Sequence, residues 1–261
     1  MAARRQISIK DAAGIEQMRR AGRIVALALQ KVGEITQPGV TTAELDAVAE
    51  QTIRGLGAIP GFLGYHGFPA TACISVNAEV VHGIPGPRIL RDGDIVGVDL
   101  GAIVGGWNAD AAYTFAVGTV SEEARRLMSI GQEALAAGIQ AVRAGNSVLD
   151  IGAAIEDHVT AHGYAVVRDL CGHGIGRQLH EEPQIPNYRC VGRAARTVLR
   201  PGMTLAIEPM VNAGLPEVML AHDNWTYVTG DGKLSVHYEH TVVVLDDGAG
   251  GLRPFADQAP G

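Results

Sequence analysis

Asp99 and Asp110 stand 11 residues apart, on either side of Gly105-Gly106, in two runs that alternate like β-strands. Aspartate is disfavoured inside strands, and like charges across a hairpin repel. A two-residue turn at Val104-Gly105 makes them direct partners, and a turn at Gly105-Gly106 makes them diagonal neighbours. Either register puts both carboxylates on one face, where a cation between them removes the conflict. Alternatively, one aspartate caps a turn while the other faces solvent. His173 lies in Gly172-His-Gly-Ile-Gly176, where glycines let backbone approach a ligand or a second strand. Glu208 ends the apolar run from Met203 and precedes Pro209, which stops a strand. Glu239 sits inside the otherwise apolar run Val236–Leu245, expected as one strand. Glutamates at such positions need a partner, either a metal ion or an arginine such as Arg177, Arg189 or Arg193.

Asp99, Asp110, His173, Glu208 and Glu239 together offer four carboxylates and one imidazole. That donor set suits Mn²⁺, Fe²⁺, Co²⁺ or Zn²⁺, and has too many carboxylates for one tetrahedral zinc. Carboxylates can bridge two ions about 3.5–4 Å apart, with a shared hydroxide as nucleophile for hydrolysis. His82 and His180 are not needed to hold metal. They could donate hydrogen bonds or protons to a reacting amide, or simply be loop histidines with backbone partners. Other chemistries lack their signatures: the glycine-rich segment has neither a P-loop ending nor Rossmann spacing, and no Gly-x-Ser-x-Gly elbow occurs.

The elements that must position these residues are written twice. At an offset of 106, Gly39, Thr41, Glu44, Glu50 and Gly57 match Gly145, Ser147, Asp150, Glu156 and Gly163. Each copy reads as a hydroxyl N-cap, an acid three residues on, a helical run and a glycine stop. Arg91–Asp99 matches Arg200–Glu208 at an offset of 109, so Asp99 and Glu208 occupy equivalent places. Longer helices are predicted before each capped one, at 9–32 with Ser8 as cap and at 121–144 with Ser121 as cap. The expected fold is α+β: two pseudo-symmetric helix-helix-strand halves, about 8–118 and 119–246, in a single domain spanning 1–261. Helices would cover the outer face of an antiparallel sheet, and 247–261 would be an irregular tail.

A net charge of −7 argues against non-specific binding to nucleic acid. No apolar run reaches membrane-spanning length, and no secretory signal is visible. Cys73, Cys171 and Cys190 are scattered and odd in number, as in a reducing compartment, so a cytoplasmic protein is expected.

Val81-His-Gly-Ile-Pro85, the Asp99/Asp110 pair, Gly172-His-Gly-Ile-Gly-Arg-x-x-His-Glu-Glu-Pro183, Ile207-Glu-Pro-Met210 and Tyr238-Glu-His-Thr241 occur in that order. Over roughly residues 8–246 the chain resembles the type I methionine aminopeptidases. The resemblance implies the duplicated pita-bread fold and two divalent ions (Co, Mn, Fe or Zn) on the five named ligands, with Asp110 and Glu239 bridging. It implies that His82 contacts the scissile amide nitrogen and His180 the carbonyl oxygen. It also implies a methionine pocket from Tyr65, Cys73 and Trp225, with Phe62, Phe68 and Leu179 nearby. The implied reaction removes N-terminal methionine from nascent chains with a small second residue, with Glu208 as candidate proton shuttle. The expected partners are methionyl peptides and nascent chains, with the ribosome as a candidate; a monomer is expected. Asn108-Ala109 replaces the common His-Gly, Phe68 a frequent Tyr, Leu179 a common Phe, and Phe62 a Cys of some members. Proline-specific peptidases of the same fold and a metal-free binding module are the rival readings.

Overall fold

A computed structural model describes residues 7–192 and 194–251. Among the described residues, four α-helices form where apolar residues recur at helical spacing: α1 (Ala12–Ile35), α2 (Thr42–Gly55), α3 (Glu122–Ala141) and α4 (Val148–Ala161). In α2 the buried positions are Thr42, Leu45, Ala49 and Ile53, and in α4 they include Ile151, Ile155 and Val159, a single stripe in each. The expected capping boxes are present. Glu44 accepts from the Thr41 amide at 2.7 Å, and Asp150 accepts from the Ser147 amide at 2.6 Å. Ser121 caps α3, its hydroxyl accepting from the Ala124 amide at 3.1 Å. The start of α1 differs from expectation: Asp11, not Ser8, is the cap, accepting from the Gly14 amide at 2.8 Å. Lys10 cannot join the helix because its amide donates to Gly202 O and its ammonium meets Glu181, both at 2.8 Å.

The first half carries β1 (Ile59–Pro60), β2 (Ala72–Val76), β3 (Glu79–Val81), β4 (Ile95–Val104) and β5 (Trp107–Ala116). The second carries β6 (Ala165–Val166), β7 (Gly172–Gly174), β8 (Glu181–Ile185), β9 (Thr204–Ile207), β10 (Met210–Asn212), β11 (Val218–Leu220), β12 (Tyr227–Thr229), β13 (Ser235–His237), β14 (His240–Leu245) and β15 (Gly248–Gly251). Every strand pairing is antiparallel. The pairing of β4 with β2 and β5 recurs as β9 with β7 and β14. Helices α1 and α3 pack on the two halves, α1 over β4 and β5, α3 over β13 and β10.

The duplication is visible in individual hydrogen bonds. Gly39 N donates to Leu90 O at 2.9 Å, and Gly145 N donates to Leu199 O at 3.0 Å. Thr41 bridges Ile89 as Ser147 bridges Val198. The two copies nevertheless differ where they matter. The first-half hairpin is continuous, whereas its counterpart breaks at Glu208-Pro209 between β9 and β10 and at Tyr238-Glu239 between β13 and β14. The segment Val236–Leu245 is therefore two strands rather than the one expected. The break turns the Glu239 backbone toward β5, where it exchanges bonds with Ala112 at 2.9 and 3.4 Å. The tail also differs from expectation: Gly248–Gly251 returns as a hairpin strand on β14, because the Asp246-Asp247 turn lets its backbone complete the sheet edge. The remainder of the expected tail, from 252 onward, lies outside the described residues, as does Arg193. No helix among the described residues is long and apolar enough to cross a membrane.

Lys10 and Glu181 form an ion pair whose side chains are 1% and 13% exposed, tying the chain ahead of α1 to the loop that carries His180. Substituting Lys10 with Met leaves that carboxylate buried without its partner. Urea unfolding is expected to show a loss of about 3–5 kcal/mol. A loss near the 0–1 kcal/mol of exposed pairs would show that the tether is not what holds the loop.

Candidate metal centre

The β4–β5 hairpin turns at Gly105-Gly106, both at positive φ (58° and 75°), as a two-residue turn of this hand requires. Of the two registers open to the sequence this selects the diagonal one: Asp99 faces Ala112 and Asp110 faces Gly101. Both side chains emerge on the same face. His173 arrives from β7, where the flanking glycines are required by close strand approach. A Cβ at Gly172 would lie 2.4 Å from Ala206 O, and one at Gly174 would lie 2.2 Å from Glu182 O. Glu208 and Glu239 enter from the two strand breaks.

These five side chains share one cavity of about 210 Å³ with His82, His180, Tyr65, Cys73, Trp225, Phe62, Phe68 and Leu179. Every site residue expected from the sequence is thus brought together. His173 Nε2 lies 3.4 Å from Glu208 Oε1 and 3.7 Å from Asp110 Oδ2. Its Nδ1 is 2.9 Å from Gly174 O, so Nδ1 carries the proton and Nε2 presents a lone pair to the carboxylates. Thr241 Oγ1 lies 2.8 Å from Asp110 Oδ1 and shares its one proton between that oxygen and the Asp110 carbonyl, which holds the carboxylate in place. Neither of the two suggested arginines among the described residues, Arg177 and Arg189, pairs with Glu208 or Glu239. Arg177 stacks over Trp107 at 4.2 Å, and Arg189 pairs with Asp157 and Glu156.

Electrostatics here conflict unless something positive is added. Burial, then the charge of Asp110, pushes Asp99 well above the usual carboxylate range. Glu208 and Glu239 are driven well up by the same causes, burial first and neighbouring carboxylates next. Burial raises Asp110 to about 6. The imidazoles move the other way: burial lowers His173, His180 and His82 to about 4. Asp99 Oδ1 and Glu208 Oε1 are buried without a hydrogen-bond partner. Buried, convergent oxygens beside a neutral imidazole are the environment a divalent cation satisfies. Among the described residues, Asp110, His173 and Glu239 already hold donor atoms within 4.8 Å of one another.

The histidines beside the cluster are held in place. Tyr65 Oη is 2.7 Å from His180 Nδ1, and the His180 ring stands edge-on to His173 at 4.3 Å. His82 sits at φ 60°, a left-handed conformation uncommon for a side-chain-bearing residue, directly after β3. The wall opposite the carboxylates is apolar, with Phe62, Phe68, Cys73 and Leu179 all buried in one cluster. Phe68 meets Trp225 edge-on at 5.2 Å. Asn108, one of the departures from the family pattern, donates its side-chain amide to Gly176 O and Arg177 O and so ties β5 to the His173 loop.

Sequence reasoning missed three participants: His66, which lines the cavity; Thr241, which holds Asp110; and His237, whose buried Nε2 faces Glu208 Oε2 at 3.9 Å. The signal for the last two was a third repeat offset, 127, that pairs Thr114 with Thr241 and Asp110 with His237.

A family model for metallopeptidase family M24 matches residues 16–246. The chain belongs to this family. It is a metal-dependent peptidase, and its fold is the duplicated pita-bread architecture. It is 49% identical over 243 residues to a methionine aminopeptidase of Clostridium acetobutylicum, covering 93% of this chain and 96% of that one. A solved methionine aminopeptidase from Thermotoga maritima superposes with a TM-score of 0.92 at 42% identity, covering 95% of this chain and 99% of its own. A prolidase from Pyrococcus furiosus reaches a TM-score of 0.77 at 26% identity, but this chain covers only 66% of its length.

The buried charges predict how the metal-free protein responds to pH. The folded state binds protons on its raised carboxylates more tightly than the unfolded state, so those groups lose stability as pH rises. The lowered imidazoles oppose this only up to about pH 6.5, above which they are neutral in both states. Between pH 6.5 and 8 the melting temperature of chelator-stripped protein is therefore expected to fall, while that of cation-saturated protein stays level. Melts followed by circular dichroism test this, and a rising profile for the stripped protein would contradict it.

Proposed function

We propose that this chain removes N-terminal methionine from nascent proteins with a small second residue, using two divalent ions held by Asp99, Asp110, His173, Glu208 and Glu239. The supporting observation is the juxtaposition, in one cavity, of a buried four-carboxylate, one-imidazole cluster with an apolar lining of Phe62, Phe68, Cys73 and Leu179. Asp110 and Glu239 would be the carboxylates that serve both ions, for which Co²⁺, Mn²⁺, Fe²⁺ or Zn²⁺ would suit the donor set. When bound, the pair supplies Lewis acidity and a water of lowered pKa.

The remaining steps belong to the protein's own side chains. Phe62, Phe68, Trp225, Tyr65, Cys73 and Leu179 receive the methionine side chain, whose unbranched thioether adapts to an irregular apolar wall. Tyr65 Oη lies 2.7 Å from His180 Nδ1, and with the tyrosine as donor the His180 proton sits on Nε2, free to donate to the carbonyl oxygen as charge develops. His82, neutral through burial, contacts the scissile amide nitrogen. Glu208 takes the proton from the attacking water and passes it to the leaving amine; burial raises its affinity for that proton. The same reading places the protein in the cytoplasm as a monomer acting on chains at the ribosome.

The deciding assay compares hydrolysis of Met-Ala-Ser and Ala-Pro-Ser by stripped protein, before and after each metal is restored. Metal-dependent methionine release from Met-Ala-Ser is expected. Preferential cleavage of Ala-Pro-Ser would move the function to the proline-specific peptidases, and stoichiometric metal binding without turnover would indicate a binding module. Glu208→Gln, checked for retained metal, is expected to lower kcat by roughly 10²–10⁴-fold, the usual range for losing an acid–base group. Full activity in that variant would remove Glu208 from the proton path.

A further inference from the structure

Away from the cavity, His158 and His162 occupy successive turns of one face of α4 and its C-terminal end, and Glu133 reaches them from α3. The three side chains can place one donor atom each within 4.8 Å of one another. His158 Nε2 and Glu133 Oε2 are only 3.2 Å apart, yet Nε2 is a buried atom with no hydrogen-bond partner. The two groups are within ion-pair distance without the geometry of a hydrogen bond, so both donor atoms face one another across a short gap. Glu133 is kept on that side because its other oxygen accepts from Ser129 Oγ at 2.8 Å. His162 Nδ1 lies 2.8 Å from His158 O, which places its proton on Nδ1 and leaves Nε2 as a free donor atom. A backbone carbonyl on the far nitrogen is the usual support of a metal-binding histidine. The imidazole rings lie 4.6 Å apart at 44°, close without being stacked flat.

We infer that Glu133, His158 and His162 form a second transition-metal site, separate from the carboxylate centre, which takes a zinc-like divalent ion with water completing its shell. Two histidines four residues apart on a helix, with a carboxylate from a neighbouring element, supply the nitrogen and oxygen donors such ions prefer. Tetrahedral bonds of about 2.0–2.2 Å hold donors about 3.4 Å apart, close to the 3.2 Å between His158 Nε2 and the half-exposed Glu133 carboxylate. The duplication does not account for the cluster: Thr52 and Leu56 stand at the matching positions of the first half. An ion here clamps α3 to α4. Helix α3 is the helix that approaches Tyr238 so closely that a Cβ at Gly131 would lie 2.8 Å from its ring.

Zn²⁺ binding to chelator-stripped full-length protein, counted by equilibrium dialysis, tests the site. The comparison is the double substitution Glu133→Gln/His162→Ala, at two exposed positions outside the catalytic cavity. Wild type is expected to bind one more Zn²⁺ per chain than the double variant, and added Zn²⁺ should raise its melting temperature further. His162→Ala alone should weaken that extra ion by at least about tenfold. Peptide hydrolysis by both variants with the carboxylate centre loaded should match wild type, showing that the fold and that centre are intact. Equal Zn²⁺ counts and equal thermal shifts for wild type and the double variant would overturn the proposal, leaving an ordinary histidine–glutamate pair.

Discussion

Ala112 and Glu239 exchange backbone hydrogen bonds where the two halves of the chain meet, and the geometry of the centre is organised around that exchange. Thr241 Oγ1 accepts from the Asp110 amide at 3.1 Å and donates to its carbonyl at 2.9 Å. Thr114 does the same to His237, at the same two distances. The reciprocal pairs make a local two-fold relation about the Ala112–Glu239 contact. Side chains from equivalent strands then converge on one region instead of facing separate surfaces.

Convergence creates the electrostatic problem that defines the site. Carboxylates gathered in a buried space raise one another's proton affinity, and burial adds to the effect. A structure that assembles this arrangement from two strands, two strand breaks and a glycine-flanked histidine is destabilised in its charged form unless cations offset the carboxylates. The fold meets the geometric demand with rigid elements and leaves the charge demand to the metal. That division fits membership of a metallopeptidase family.

The two halves share their scaffold and differ in their use of it. The first half supplies its carboxylates from an unbroken hairpin, and the second supplies Glu208 and Glu239 from interruptions of the equivalent strands. Breaking a strand frees a longer side chain to reach inward while the flanking residues keep their ladder bonds. Symmetry built the sheet, and departures from symmetry built the ligand set.

The amino-acid sequence by itself determined the helices with their capping boxes, the α+β duplication and the identity of the convergent carboxylates, because capping, periodicity and burial of charge are local or pairwise preferences. It left the hairpin register open between two turns that differ by one residue, and the positive φ values of Gly105 and Gly106 decide that. It misplaced the cap of α1, since the pull on Lys10 comes from Glu181, 171 residues away. It read Val236–Leu245 as one strand, since apolar residues continue through a break made by contact with β5. His237 carried only its repeat match to Asp110, because its meaning depends on Glu208 lying across the sheet. Tertiary structure decided these features because each depends on groups distant in sequence that only the closed pseudo-two-fold brings within reach.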